Sequence, residues 1–340
     1  MDNYPSDCIQ QRKGDVLLVK YPPTKKHDPA YSTFRSKVFY KDELVAVSPV
    51  KSIPYDTFST KYTIQECRVE EFVEGTMINV WYGNNKWNIA TRSVIDAMCT
   101  FESDKTFSEM FYECMALNPI DFQSGYCYSL VMQHPDNKIV TPVDMKLYVV
   151  GRYKIVEGTA VECYEACPHS PQTFSVSSYA EAEALAQTTR GKGLMLTCNG
   201  ERAKIKRSTY YELETLKGNS PFQYRYLTIR NTPEMAHFLN AFPWYTSEAV
   251  LLENNLHKLS TAMYKDYVSY YIRKHPMPPG YPYKKIMYDI HGIYLSIRPI
   301  RVSFSHVSSL IQRLHPSQLT RLLREQKTPR TTPTPPGMIL

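Results

Sequence analysis

The sequence predicts an α+β fold: a core of antiparallel sheets with helices, followed by a mainly α-helical C-terminal domain. Three observations carry that expectation. Up to about residue 206 the chain is built of short runs rich in β-branched and aromatic residues, separated by Gly, Asn, Asp and Pro. Within that part only two stretches show a helical pattern, and they interrupt the strand-like runs irregularly. Beyond Pro233 the pattern changes to long runs with apolar residues every three or four positions.

Residues 1–30 hold the strand-like patch DVLLVKY and the turn-prone PPTKKHDP, and are expected to form a lead-in. From Phe34 to about Tyr62, the segment SKVFYKDELVAVSP predicts a hairpin around KDE that ends in Pro49-Val50-Lys51-Ser52. A second hairpin is expected over Val73 to Thr91, where two β-rich runs flank Gly83-Asn84-Asn85. Phe107, Met110, Phe111 and Cys114 fall at helical spacing and predict a helix over Thr106 to Met115, with further strands at Ser129 to Val140 and Lys146 to Val156. Ser178 caps a helical composition that runs to Gln187, and LMLTC and RAKIK then flank Asn199-Gly200 as a third hairpin. Helices are predicted for Glu248 to Arg273, Tyr283 to Ile297 and Ser305 to Leu314, the last with Val307, Leu310, Ile311 and Leu314 on one face. The end, KTPRTTPTPPGMIL, predicts a flexible tail. The expected organisation is a lead-in over 1–30, a core domain over 31–232, a basic helical domain over 233–326 and a tail over 327–340.

At 340 residues, with 43% apolar and 21% charged, the chain has an ordinary globular composition and room for two domains. No apolar run approaches the roughly 18 residues a spanning helix needs, and MDNYPSDCIQQRKGD lacks the apolar centre of a secretory signal, so an intracellular, cytoplasmic protein with no membrane partner is expected. The cysteines at 8, 67, 99, 114, 127, 163, 167 and 198 are scattered, which predicts reduced thiols. The net charge of +7 is unevenly placed: from His257 onward thirteen Lys or Arg stand against three acids, a balance of +10 that leaves −3 for the first 256 residues. A slightly acidic body with a strongly basic end points to a polyanionic partner, of which phosphate backbones are the commonest inside cells.

Nucleotide binding through a GxxxxGKS loop or a GxGxxG turn is excluded, since neither occurs. Cys163-x3-Cys167-Pro-His169 offers three soft ligands with only Cys198 as a conceivable fourth, so thiols are expected there and no metal site. His134, in Gln133-His134-Pro135, reads as a hydrogen-bonded structural group. In the basic region Tyr264, Tyr267, Tyr270 and Tyr271 alternate with Lys265, Arg273 and Lys274, and Tyr281, Tyr283 and Tyr288 with Lys284 and Lys285. Aromatic planes beside cations suit single-stranded RNA, which is bound by base stacking and phosphate neutralisation, and Arg273, Lys274, Lys284 and Lys285 are the expected phosphate contacts.

Glu71-Phe72-Val73-Glu74-Gly75-Thr76, Ala90-Thr91-Arg92-Ser93, Pro135-Asp136-Asn137-Lys138-Ile139-Val140 and Lys204-Ile205-Lys206, in that order within Arg35 to Lys206, resemble motifs of the phage-type RNA ligases, members of the covalent nucleotidyltransferase superfamily that includes DNA ligases and mRNA capping enzymes. Glu71-Phe72-Val73-Glu74-Gly75-Thr76 resembles the Lys-x-Asp-Gly-Ser/Thr motif, and Ala90-Thr91-Arg92-Ser93 the Thr-Arg-Gly segment. Pro135-Asp136-Asn137-Lys138-Ile139-Val140 resembles the end of the motif with the ribose-contacting glutamate, and Lys204-Ile205-Lys206 the final Lys-x-Lys.

The resemblance implies a nucleotidyltransferase, ATP-grasp-like ligase core that binds nucleotide through Glu74, Gly75, Arg92, Lys204 and Lys206, with ATP and Mg2+ as cofactors and RNA ends as partners. In such enzymes a lysine amine attacks the ATP α-phosphate and the last lysines neutralise the phosphates. Here Phe72 stands at that lysine's position, Val131 near the ribose-contacting glutamate's, with Gln133 beside it, and Lys192 at a further acid's. Lys51 is the candidate for a displaced catalytic lysine. Three classes therefore stand open: a binding protein for nucleotide and RNA ends with degenerate or altered chemistry, an active ATP-dependent RNA ligase using a displaced lysine, and a non-catalytic scaffold retaining the ligase fold. Relatives of this kind occur in large DNA viruses, so the resemblance also implies a viral source and action in a viral factory or virion.

Overall fold

The computed structural model describes residues 4–163 and 165–327. The part ending at Leu216 and the part beginning at Lys217 are two separate compact units. In chain order the first contains β1 (Ile9–Lys13), β2 (Val16–Lys20), β3 (Lys37–Tyr40), β4 (Glu43–Val47), α1 (Tyr55–Lys61), β5 (Arg68–Glu71), β6 (Thr76–Gly83) and β7 (Lys86–Thr91). It continues with α2 (Phe107–Leu117), β8 (Tyr126–Gln133), β9 (Lys146–Val156), β10 (Thr159–Glu162), β11 (Thr173–Phe174), α3 (Tyr179–Thr188), β12 (Gly193–Cys198), β13 (Glu201–Lys206) and all but the last residue of α4 (Ser208–Lys217). The second unit holds α5 (Phe222–Ile229), α6 (Glu234–Ala241), α7 (Thr246–Tyr267), α8 (Lys284–Ile297), α9 (Phe304–Arg313) and α10 (Pro316–Lys327).

Two-residue turns set the three expected hairpins. Lys41-Asp42, Asn84-Asn85 and Asn199-Gly200 all lie at positive φ, the conformation a tight hairpin of matching twist demands. They pair β3 with β4, β6 with β7 and β12 with β13. The strands form three antiparallel sheets, ordered β1-β2-β3-β4, β10-β9-β8-β6-β7 and β11-β5-β12-β13. The segment expected as a lead-in therefore contributes to the core: its β1 and β2 extend the first sheet.

Period-two alternation divides the residues of the five-stranded sheet between two cores. Trp81, Cys127 and Tyr153 pack with Leu17, Leu18, Val38 and Ala46 of the first sheet. Ile78, Val80, Leu130, Met132 and Leu147 pack with Met110, Phe111 and Cys114 of α2. That helix starts at a capping box in which the Thr106 hydroxyl accepts the Glu109 N–H and the Glu109 carboxylate accepts the Thr106 N–H. The third sheet buries Val69, Leu194, Leu196, Ala203 and Ile205 against Phe58 of α1 and Ala182 and Ala186 of α3.

A buried polar knot joins the first two sheets. Asn79 of β6 is fully buried and donates to the hydroxyls of Ser48, 3.1 Å away, and Ser36, 3.4 Å away. Ser129 of β8 places its hydroxyl 3.1 Å from the Asn79 carbonyl and 2.8 Å from the Val47 carbonyl.

The structure departs from expectation at the end of β8, which stops at Gln133 and not at Val140. Pro135 has no N–H for a ladder, and the chain turns there as His134 Nδ1 accepts the Asp136 N–H at 3.1 Å. His134 is structural: it is 1% exposed, with Nε2 2.8 Å from Glu113 of α2.

The boundary expected at 232 falls inside the second unit. There, Tyr226 of α5 donates to Glu253 of α7 at 2.6 Å, Arg230 donates to the Gln312 carbonyl at 3.0 Å, and the Phe222 ring stacks on Tyr245 at 4.3 Å. Ala249, Leu256, Leu259, Met263 and Tyr267 form the buried stripe of α7. The tail expected beyond Lys327 lies outside the described residues. No helix among the described residues is long and apolar enough to cross a membrane.

Candidate functional site

The alternation in Glu201-Arg-Ala-Lys-Ile-Lys206 builds one wall of a cleft. Ala203 and Ile205 point to the α3 side and are buried there, so Arg202, Lys204 and Lys206 share the opposite face of β13. In register across the third sheet, Met195 of β12 stands opposite both Lys204 and Glu70, and Thr197 opposite Arg202 and Arg68. Arg202 and Lys204 reach a cavity of about 450 Å³, lined on its other side by Gly75, Thr76, Arg92, Ser93, Val131 and Arg35, from the edges and loops of the first two sheets.

Gly75 lies at φ +148° where β6 begins, and a Cβ there would meet the Met132 carbonyl oxygen at 2.4 Å. Only glycine lets β6 approach β8 this closely. Arg92 follows β7 directly, where the Thr91 hydroxyl accepts the N–H groups of Ser93 at 3.2 Å and Val94 at 2.9 Å and turns the chain. Phe72 continues the edge of β5: its N–H donates to the Gly193 carbonyl at 2.8 Å and its carbonyl accepts the Lys192 N–H at 2.7 Å. Its ring lines the cavity, with Lys204 Nζ 4.8 Å and Lys192 Nζ 5.3 Å from the ring centroid.

The expected nucleotide contacts are not all gathered here. Gly75, Arg92 and Lys204 line the cavity, but Glu74 does not. Glu74 is 3% exposed, and its carboxylate accepts the N–H groups of Val140 and Thr141 and the Thr141 hydroxyl, pinning that loop. Lys206 is exposed and lines a neighbouring cavity of about 140 Å³ with Phe72, Lys192, Lys204, Arg207, Tyr210, Tyr211 and Glu214. Lys51 lines neither cavity, although burial and the charges of Lys26 and Arg35 lower its pKa. Arg273, Lys274, Lys284 and Lys285 are exposed in the second unit, where Lys284 Nζ lies 5.7 Å from the centroid of the Tyr288 ring.

Sequence reasoning missed Arg35 and Arg202 and the role of Lys192. Arg202 carried a usable signal, two positions before Lys204 in one strand; Arg35, in the loop before β3, carried none. The side chains of Arg35, Arg92, Arg202 and Lys204 make no hydrogen bond or ion pair among the described residues. The acids nearby are engaged: Glu70 with Arg68 at 3.1 Å, and Glu71 with the Gly191 N–H at 2.9 Å. Lys192 is paired with Glu214 at 2.9 Å.

The cations therefore repel one another, with partial relief at Arg202 from the nearby carboxylates of Glu70 and Glu162. Burial, with Arg202 and Arg92 close by, lowers Arg35 to about 10. Burial, reinforced by Arg35, Lys192, Arg202 and Lys206, lowers Lys204 to about 7. Chemically, such a cleft attracts an anion and holds one amine near neutrality at neutral pH. Among the described residues no three His, Cys, Asp or Glu are grouped as a metal ion requires.

No protein-family model matches the chain. In sequence it is similar to an RNA ligase of Rhodothermus phage RM378, 31% identical over 90 residues. That match covers 23% of this chain and 20% of the phage protein, so the chain spans about a fifth of that relative's length. In structure it is similar to an archaeal ATP-dependent RNA ligase, with TM-score 0.42 and 13% identity over 72% of this chain and 68% of that one. A Naegleria gruberi RNA ligase with pyrophosphate gives TM-score 0.34 and 10% identity over 50% and 58% of the two chains. The sequence likeness is of the RNA-ligase type, and the fold is α+β with antiparallel sheets.

Proposed function

We propose that the first unit binds a nucleoside phosphate, free or at the end of an RNA, in the cleft between its sheets, and that its nucleotidyl chemistry is altered from that of the ligases it resembles. One observation carries the reading: Arg35, Arg92, Arg202 and Lys204 converge on one cavity, and none of them makes an ion pair or hydrogen bond with an acid among the described residues. Partly buried cations without partners are costly. A polyphosphate relieves that cost through charge-assisted hydrogen bonds. A protein keeping only the fold would gain nothing from this arrangement, which disfavours the scaffold class.

The residues suit ATP better than a protein-held Mg2+. Val131 and Lys192 occupy places where the resemblance calls for acids, and the Glu74 carboxylate is spent on the loop at Val140 and Thr141. We infer that a divalent cation enters with the nucleotide. The RNA body is assigned to the basic second unit, supported by its charge balance, the exposure of Arg273, Lys274, Lys284 and Lys285, and the name of the phage relative.

The test is equilibrium binding of ATP and of a 5′-phosphorylated oligoribonucleotide, with its 5′-hydroxyl counterpart as control, over a series of salt concentrations. Affinity should fall steeply with salt and favour the 5′-phosphate. Binding indifferent to salt, and equal for the two oligonucleotides, rejects the reading.

A further inference from the structure

Lys204 differs from the other lysines around the cleft in its environment. Lys192 is neutralised by Glu214, and Lys206 lies exposed over the Tyr211 ring, 4.1 Å from its centroid. Lys51 lies outside both cavities. Lys204 alone of these combines a place in the main cavity with the lack of an acidic partner. Its amine stands by Phe72, and Met195 is its cross-strand neighbour, so it has apolar groups on two sides and cations around it. Those surroundings disfavour the ammonium, and with the amine titrating at about 7, about half of it is neutral at neutral pH.

We propose that Lys204 is the nucleophile of this cleft and takes a nucleotidyl group from a nucleoside triphosphate. The inference rests on the reading that the cleft binds nucleoside phosphates. The nitrogen lone pair attacks the α-phosphorus and forms a P–N bond. The bond from that phosphorus to the bridging oxygen breaks, its electron pair leaves on pyrophosphate, and the nitrogen's surplus proton passes to solvent. Arg35, Arg92 and Arg202 hold the phosphate oxygens and the charge that builds on them. The amine that the resemblance places on β5's extension is thus supplied from β13, across the Phe72 ring.

The experiment incubates the full chain with magnesium and ATP or GTP labelled at the α- or γ-phosphate. The protein should retain α-label only, in a linkage that survives mild alkali and is lost in acid, as a phosphoramidate is. Trypsin should release the modified fragment Ala203–Lys206, uncut after Lys204. At subsaturating ATP the labelling rate should rise with pH through about 7, where the amine of the ligand-free protein loses its proton. Lys204→Arg should abolish label while lowering ATP affinity by less than about tenfold, because the guanidinium keeps the charge. Label on Lys192, Lys51 or any other residue overturns the proposal. So does the absence of label in protein that binds ATP, which leaves the binding reading standing; failure to bind ATP at all overturns both.

Discussion

Two kinds of polar cluster inside the first unit differ in whether the protein completes them. Around Asn79 and around Glu74, every buried oxygen and amide described above finds a partner within the chain. Around Lys204 the cations face one another, and none is ion-paired with an acid among the described residues. Both kinds lie on or beside sheet strands and are buried or half-buried, so burial alone does not mark a site. The difference teaches where to look: a satisfied polar group holds the fold, whereas an unsatisfied one signals a missing ligand.

The sharpest separation comes from deleting one member of each cluster. Glu74→Ala strands two backbone N–H groups and a hydroxyl, and should destabilise the protein by about 3 kcal/mol. Thermal denaturation should show this as a fall on the order of 5–10 °C. Arg202→Met removes a desolvated cation that makes no hydrogen bond or ion pair among the described residues, and should leave the melting temperature unchanged or raise it. If Arg202→Met melts as low as Glu74→Ala, the contrast between the clusters is broken. On ligand affinity the order reverses: Arg35→Gln and Arg202→Gln should each weaken ATP binding by roughly 10- to 100-fold, at about 1.5 to 3 kcal/mol per charged hydrogen bond lost. Calorimetric titration reads it.

Much of the fold was legible because its signals are local. Asn84-Asn85 and Asn199-Gly200 announce turns, Thr106 and Glu109 announce a helix start, and period-two runs mark the strands between them. Where a signal depends on tertiary pairing, legibility ended. The run FQYRYLTI of α5 has strand-like composition, yet it is helical because its aromatic face packs on α6 and the turn at Tyr245. PSQLTRLLREQK of α10 was passed over as part of a charged end. In the site, Lys204 was legible from its motif, but Glu74 was given a ligand's role that geometry assigns to a loop. Arg35 enters the cleft only through the folding of the first sheet, which no short segment encodes.

A smaller effect separates the two units. Neutralising Arg273, Lys274, Lys284 and Lys285 together should reduce the slope of log K against log salt for single-stranded RNA by about 3, from roughly 0.7 per phosphate contact. ATP binding should not change, because the ATP contacts are placed in the first unit. An unchanged RNA slope removes those four residues from the interface and leaves the cleft as the sole candidate contact with RNA phosphates.

The finest test is pH, where one amine should act with opposite signs on fold and ligand. In the ligand-free protein the Lys204 pKa lies at about 7, below the unfolded value of 10.5, so between those limits the unfolded chain binds more protons. Stability from this group therefore rises as pH is raised from about 7 toward 10. A bound phosphate pushes the same pKa up, because the ammonium gains an anionic neighbour. Its contribution to ATP affinity is then full below about 7 and is lost as pH rises through the ligand-bound pKa, by at most about tenfold per pH unit. Lys204→Met should flatten both dependences, measured as the difference from wild type so that other titrating groups cancel. Equal slopes in wild type and variant would place the titrating group elsewhere, and the cleft would then hold its anion without the amine that distinguishes it from an ordinary cationic surface.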